Sequence, residues 1–209
     1  GHMKRGVLQC VPDVSRETIK QLEDYVDLVV KWNPAINLVS KGDLENIWDR
    51  HIEDSAQIVR LTDVGRSWVD LGSGGGFPGI VVAILLKTLS HSTKVVLVES
   101  DSRKAVFLRH VITQLDLNCE VQNTRIEASS IEVASVVSGR ALAVLPKLLD
   151  LSEHLIDKDT VCLFMKGKAF SNELKLARDK WSFDCDVVQS KTNVDGAILI
   201  IRNVCRANK

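Results

Sequence analysis

Aromatic residues make up only 5% of the chain, and neither sign of charge is in excess: Lys and Arg number 27, and so do Asp and Glu. The first shortage argues against a surface built mainly of base-stacking aromatics. The second removes the basic excess that usually marks nucleic-acid binding, so any RNA contact has to come from local clustering of cations. The five cysteines (Cys10, Cys119, Cys162, Cys185 and Cys205) are odd in number, scattered, and never spaced C-x-x-C. This pattern supports neither a structural zinc site nor a disulfide framework, and it fits a reducing, cytoplasmic setting. The longest near-continuous apolar run, residues 80–86, falls far short of the roughly 20 residues that span a bilayer. No secretory signal, internal repeat or low-complexity tract is seen.

What remains is a chain of 209 residues that is 45% hydrophobic, enough for one domain with a real core. Gly1-His2-Met3 reads as an expression-tag remnant and is set aside. The most distinctive stretch is 67–79. An apolar run, Trp68-Val69, ends in Asp70, and five of the 12 glycines then fall between Gly72 and Gly79, ahead of a helical-looking segment. Glycine permits φ > 0 and lets a ligand approach the main chain closely. Strand, glycine-rich turn and helix in succession form the nucleotide-cradling arrangement of open α/β sheets.

Helices precede that turn. Ser15 can cap a helix with Ile19, Leu22, Val26, Val29 and Val30 at helical spacing, interrupted at Pro34. A second helix is predicted over 43–61, with Leu44, Ile47, Trp48, Ile52, Ile58 and Val59 facing inward. Residues 4–65 therefore read as a helical extension and 66–209 as an α/β core. Strands are predicted at 68–71, 94–99, 119–122, 133–137, 160–165, 184–189 and 197–204, and helices at 78–89, 101–115, 144–155 and 169–181. Such alternation argues a parallel sheet covered by helices on both faces. The last two strands are joined by a short polar loop, 190–196, that leaves no room for a helix, so they pair antiparallel. A Rossmann-like sheet of seven strands whose last two form a hairpin is the class I methyltransferase layout.

Two registers fit the glycine turn. Gly74-Gly75-Gly76-Phe77-Pro78-Gly79 matches the G-x-G-x-x-G dinucleotide fingerprint. Asp70-Leu71-Gly72-Ser73-Gly74-Gly75-Gly76 matches the acid-x-G-x-G-x-G turn of S-adenosylmethionine enzymes. The second register puts its first glycine directly after the strand and places Pro78 in the first turn of the next helix, where a missing N–H costs nothing. The first leaves Phe77 and Pro78 where a pyrophosphate must approach. A cationic cofactor also explains the acid better than a pyrophosphate does. Glu99 ends the second strand at the distance expected for the acid that holds ribose hydroxyls. Ile126 and Glu127, with Arg125, follow the third strand and can flank an adenine.

The fourth strand lacks the Asp/Asn-Pro-Pro-aromatic turn of amino-group methylases and ends Ser138-Gly139-Arg140-Ala141. Carbon-5 methylation of pyrimidines needs a cysteine nucleophile, and Cys119 and Cys162 lie inside apolar strand runs. A guanine N7 needs neither device. Its in-plane lone pair is nucleophilic at neutral pH, so catalysis can be mainly positioning. Arg140 leaves the carboxyl end of strand four and Lys166 that of strand five, the edge at which open α/β sheets hold ligands. His51, Asp54 and Ser55 share one helical face and read as a wall behind the site. Arg50, Arg103, Lys104, Arg109, Lys168 and Arg202 could add a basic rim for phosphates.

The chain resembles the RsmG (GidB) family, bacterial methyltransferases of small-subunit ribosomal RNA. The resemblance runs from about Trp32 to Arg202 and rests on ordered segments. These are Trp32-Asn33-Pro34-Ala35-Ile36-Asn37-Leu38, Ile47-Trp48-Asp49-Arg50-His51-Ile52-Glu53-Asp54-Ser55, the glycine turn with Phe77-Pro78-Gly79, Arg103-Lys104-Ala105-Val106-Phe107-Leu108, Arg125-Ile126-Glu127, Gly139-Arg140-Ala141 and Lys166-Gly167. It implies methylation of guanine 527, in the 530 loop of 16S ribosomal RNA, at N7 by S-adenosylmethionine, with S-adenosylhomocysteine as product. Expected cofactor-binding residues are Asp70, Gly72, Ser73, Gly74, Phe77, Glu99, Ile126, Glu127 and Arg140; expected catalytic residues are Arg140 and Lys166. The implied partners are 16S ribosomal RNA or the 30S particle, with no metal, no membrane and a monomeric chain. Glu99 stands where the family mostly has Asp, and Arg103-Lys104 reverses the usual order of those two cations. Competing readings are a small-molecule methyltransferase of the same fold, a non-catalytic RNA-binding scaffold and, more distantly, a nicotinamide oxidoreductase.

Overall fold

A seven-stranded sheet organises the computed structural model, which describes residues 8–140 and 142–208; Gly1-His2-Met3 and Ala141 lie outside them. The strands are β1 (Ser67–Leu71), β2 (Lys94–Val98), β3 (Cys119–Gln122), β4 (Val136–Arg140), β5 (Val161–Lys166), β6 (Trp181–Gln189) and β7 (Ala197–Arg206), in the spatial order β3-β2-β1-β4-β5-β7-β6. The first five are parallel; β7 runs antiparallel between β5 and β6. The chain steps outward from β1 to β3, then returns to lay β4 on the other side of β1. That reversal opens a crevice at the carboxyl ends of β1 and β4, where ligands of open α/β sheets bind.

The strands are apolar on both faces because helices cover both. Trp68, Val95, Leu97, Leu163 and Ile198 pack into one core with α1 (Arg16–Ile36), α4 (Gly79–Leu89) and α5 (Ser102–Leu115). Their strand neighbours Val69, Leu71, Val96, Phe164 and Leu199 pack on the other face with α6 (Leu145–Ser152) and α7 (Phe170–Ala177). The alternation follows from the two-residue period of side chains along a strand.

The Ser15 hydroxyl caps α1 by accepting from the Thr18 amide, as expected. The helix does not stop at Pro34 but runs to Ile36 and ends at Asn37, whose φ of 57° is left-handed. Pro34 lies in the last turn, so its missing N–H removes one bond near an end that frays anyway. The Asn33 side chain, bonded to both the amide and the carbonyl of Val39, folds the exiting chain back. The single helix expected over 43–61 is three pieces: α2 (Lys41–Glu45), a π-helical turn (Trp48–Glu53) and α3 (Asp54–Ala56). Ile47, Trp48, Ile52, Ile58 and Val59 are buried all the same.

Several placements differ from expectation. β4 starts at Val136, three residues late, and so carries Ser138 and Arg140 within the strand. Helix α7 ends at Ala177, and Trp181, expected at its end, opens β6, because Trp181 and Phe183 alternate inward against the α6–α7 face. Arg202 is not on the ligand edge. In the antiparallel register Ala197 pairs with Lys166 but Ile201 pairs with Cys162, so Arg202 emerges at the opposite end of the sheet, beside Gly65 and Ser135.

Candidate active site

Backbone geometry decides the register of the glycine turn. Gly72, Gly74 and Gly76 have φ of 64°, 58° and 105°, while Gly79 does not lie in the left-handed region. These are the three glycines of the acid-x-G-x-G-x-G pattern. At Gly76 a Cβ would also stand 2.5 Å from the Tyr25 hydroxyl and 2.6 Å from Ile80. The Tyr25 hydroxyl donates to the Gly75 carbonyl, so α1 braces the turn from behind.

Asp70 is wholly buried beneath that turn. Its Oδ2 accepts from the Gly79 amide (3.0 Å) and the Ser73 hydroxyl (2.8 Å), and its Oδ1 from the Ser138 hydroxyl (2.7 Å). Ser138 Oγ in turn accepts from the Trp68 indole at 2.8 Å. Burial pushes the Asp70 carboxyl up to about 6, and the Ser138, Ser73 and Gly79 bonds and the Arg140 charge oppose that rise. Both oxygens are thus spent on shaping the turn, and a bound cofactor would sense Asp70 through the turn. The Ser73 hydroxyl serves the same clamp.

Glu99 joins the turn to the end of β2. Its Oε1 accepts from the Gly74 amide and its Oε2 from the Asp101 amide, both at 2.8 Å. A carboxylate offers about four acceptor sites, so roughly two remain for hydroxyl donors. Next to it opens a cleft of about 270 Å³ lined by Gly72, Val98, Ser100, Ile126, Glu127 and Leu142. Ile126 is buried and Glu127 exposed on a 3₁₀ turn after β3. An apolar floor, a spare carboxylate and an open glycine cradle fit the adenosine and amino-acid ends of S-adenosylmethionine; a Cβ at Gly74 would meet nothing nearer than 3.9 Å.

Arg140 ends β4 and is held from the N-terminal segment. Its Nη1 donates to Asp54 Oδ2 at 3.0 Å and its Nη2 to His51 Nδ1 at 2.6 Å. The His51 ring stacks on Phe77 with centroids 4.6 Å apart, and the guanidinium lies 5.6 Å from the Phe77 centroid. Phe77 therefore faces Tyr25, His51 and Arg140 and is not among the residues lining the first cleft. Burial and the Arg140 charge push His51 down to about 4, so it is neutral near pH 7 with its proton on Nε2. That Nε2 is 3.3 Å from Asp43 Oδ2 but poorly aligned for a hydrogen bond. A second cavity, about 300 Å³ and sharing no lining residue with the first cleft, is walled by His51, Asp54, Arg140, Lys166, Ser190 and Asn193. Lys166 lines it yet is buried and committed: Nζ donates to the Ala143 carbonyl (2.6 Å) and pairs with Glu173 (3.0 Å). As placed, it fixes the 142–144 loop between the two cavities and does not present a free amine.

A family model described as rRNA small subunit methyltransferase G matches residues 18–204. The chain belongs to that family. A protein of Cereibacter sphaeroides named ribosomal RNA small subunit methyltransferase G is 45% identical over 91% of this chain and 93% of its own. One of the same name from a Ruegeria species is 42% identical over 97% and 98%. Among solved structures, a TehB-like SAM-dependent methyltransferase from Corynebacterium glutamicum has a TM-score of 0.56 at 13% identity, covering 87% of this chain and 97% of that one. An O-methyltransferase from Bacillus cereus in complex with SAH has a TM-score of 0.55 at 18% identity, covering 86% and 90%. At such identities the likeness shows the fold, which is that of class I methyltransferases.

Within this family member, some site residues were not legible beforehand. Ser138 belongs to no functional motif in the sequence, yet it holds Asp70. Gln57 and Thr192 sat in a helix and a polar loop with no signal of their own, yet both bond to Asp54. His51 and Asp54, expected to share a face with Ser55, both reach Arg140, whereas Ser55 is fully buried and its hydroxyl has no partner among the described residues. No cysteine lines either cavity, and burial pushes the Cys162 thiol up to about 12, which leaves no thiolate for attack on a pyrimidine. Among the described residues no helix is long and apolar enough to cross a membrane, and no group of three or more His, Cys, Asp or Glu is placed to hold a metal ion.

Proposed function

We propose that this protein transfers a methyl group from S-adenosylmethionine to N7 of guanine 527, in the 530 loop of 16S ribosomal RNA, in the cytoplasm. The observation that carries the reading is a pair of cavities near the end of β4: a cleft lined by Gly72 and the turn after β3, and a second cavity, assigned to the acceptor, lined by Arg140, His51 and Asp54. Family membership supplies the RNA. Glu99, Ile126, Glu127 and the Gly72–Gly74 backbone would hold the adenosine, with Arg140 at the junction. When bound, S-adenosylmethionine supplies an electrophilic methyl on a sulfonium sulfur. The residues of this chain need only align the acceptor, because N7 brings its own lone pair and no proton has to leave it. The site agrees with that requirement. His51, the one imidazole in the acceptor cavity, spends Nδ1 on Arg140 and is not free to act as a base.

Labelled S-adenosylmethionine with intact 30S particles or naked 16S RNA, each from cells lacking the enzyme, tests the proposal. Label should appear as N7-methylguanine in the 530 loop in at least one case; label in neither, or at another position, sinks it. Methylation of a free metabolite without RNA would favour the small-molecule alternative.

Glu99→Ala provides a sharper check on the cleft. Loss of charge-assisted bonds of about 1.5–3 kcal/mol should weaken cofactor binding roughly 10- to 100-fold. RNA affinity should stay within about twofold, since Glu99 bonds the Gly74 and Asp101 amides and does not line the Arg140 cavity. Calorimetry with S-adenosylhomocysteine and filter binding with RNA separate the two; the reverse ranking means the cofactor lies elsewhere.

A further inference from the structure

The loop between β6 and β7 is tied to the same cation that closes β4. Asp54 divides its two oxygens. Oδ2 accepts from Arg140 (3.0 Å), while Oδ1 accepts from the Thr192 hydroxyl (2.6 Å) and the Gln57 amide (3.1 Å). Gln57 Oε1 accepts from the Lys191 backbone amide at 2.8 Å, which anchors the loop a second time. The loop is braced internally as well: Ser190 Oγ accepts from the amides of Thr192 and Asn193, each at 3.2 Å. Ser190 and Asn193 line the acceptor cavity beside Asp54 and Arg140. The arrangement spans 138 residues of sequence between Thr192 and Asp54.

A carboxylate held by one oxygen turns easily, because the terminal torsion of Asp is broad. Pinning the second oxygen removes that freedom and so sets the plane of the guanidinium bonded to the first; the Thr192 bond is the shorter of its two ties, at 2.6 Å, and without it only the 3.1 Å bond from Gln57 remains. The plane matters because Arg140 keeps its Nε–H and one Nη2–H free of protein acceptors among the described residues, and a planar fork delivers such donors in fixed directions. We propose that Thr192 is a positioning residue for methyl transfer: through Asp54 it fixes the orientation of Arg140, so that the loop at the rim of the acceptor cavity and the cation at its floor move as one unit. The proposal rests on the methyl-transfer reading above.

Thr192→Val keeps the shape and removes the hydroxyl; Thr192→Ser keeps the hydroxyl. The valine variant should lose about tenfold in kcat, the order expected when a positioning contact is loosened, while KM for RNA and S-adenosylmethionine stays within about twofold. Thr192→Ser should recover the wild-type kcat to within about twofold. In an Arg140→Lys background, where the fork is gone, Thr192→Val should add nothing. A readout independent of the substrate is the Nε–H resonance of Arg140 in 15N-labelled protein, assigned by its loss in Arg140→Lys. It should shift or broaden in Thr192→Val and stay in place in Thr192→Ser. Unchanged kcat in the valine variant, equal losses in both variants, a full further loss on top of Arg140→Lys, or an unmoved Arg140 signal each overturns the proposal. If wild-type protein fails to methylate RNA, the functional reading falls and the resonance alone decides the positioning.

Discussion

Asp70→Ala is expected to cost about 3–5 kcal/mol of stability and with it the shape of the cofactor turn. The residue is fully buried and three donors converge on it: the Gly79 amide and the hydroxyls of Ser73 and Ser138. Alanine leaves these buried donors without their acceptor. Asp70→Asn isolates the charge. Its amide oxygen can keep the Ser73 and Gly79 bonds while its nitrogen meets Ser138. The wild-type carboxyl titrates near 6 in the folded protein against an ordinary value of 3.8, so between those pH values the folded state holds a proton that the unfolded chain has released. Stability from this group therefore falls as pH rises from about 4 to about 6, by up to about 3 kcal/mol, and is flat above. Urea melts of wild type and Asp70→Asn across that window should diverge accordingly. Other carboxylates titrate in both proteins alike, so the difference reports on Asp70; parallel curves would remove the buried charge from the account.

Arg140→Met should lower kcat by about 10²-fold while sparing the fold, because the guanidinium orients the reacting partners. Methionine keeps the apolar stem that packs by Phe77 but loses every donor. A second signature follows from electrostatics. His51 is held down to about 4 by burial first and by the Arg140 charge next, so the variant should let its imidazole titrate at higher pH, still below the ordinary 6.5 because burial persists. An NMR titration of the His51 ring reads this directly. An unshifted His51 would mean that the guanidinium does not sit against Nδ1.

What the sequence disclosed and what it withheld divide along the range of the interactions. The glycine register was readable because Asp70, Gly72, Gly74, Gly76 and Pro78 lie within nine positions and act on one another through the local backbone. The closing hairpin was readable because its loop is too short for a helix. Arg140 could be named from its place at a strand end. The partners of Arg140 could only be seen as a nearby patch, since the π-helical turn at Trp48–Glu53 departs from the 3.6-residue period that the apolar spacing suggests. Lys166 was visible as a cation at the right edge, but nothing local announces Glu173 and Ala143, which engage it. Arg202 was misplaced for a geometric reason: in an antiparallel strand, residues farther along the chain travel away from the ligand edge. Asp54 and Thr192 meet only because the tertiary fold brings the last hairpin back to the first third of the chain.

The insertion of β7 between β5 and β6 has a bearing on how the molecule is made. During translation the parallel strands emerge in sequence, but β5 keeps an open edge until residues 197–206 leave the ribosome. An exposed strand edge is a template for pairing with other chains. The loop that anchors Asp54 appears only just before that strand, so a nascent chain can assemble the glycine turn well before it has an ordered acceptor cavity. Premature termination inside β6 would leave the β5 edge open to other chains and Asp54 without its Thr192 bond. Pulse-labelled nascent chains stalled before and after β7 would show that transition as a gain in protease resistance at β5.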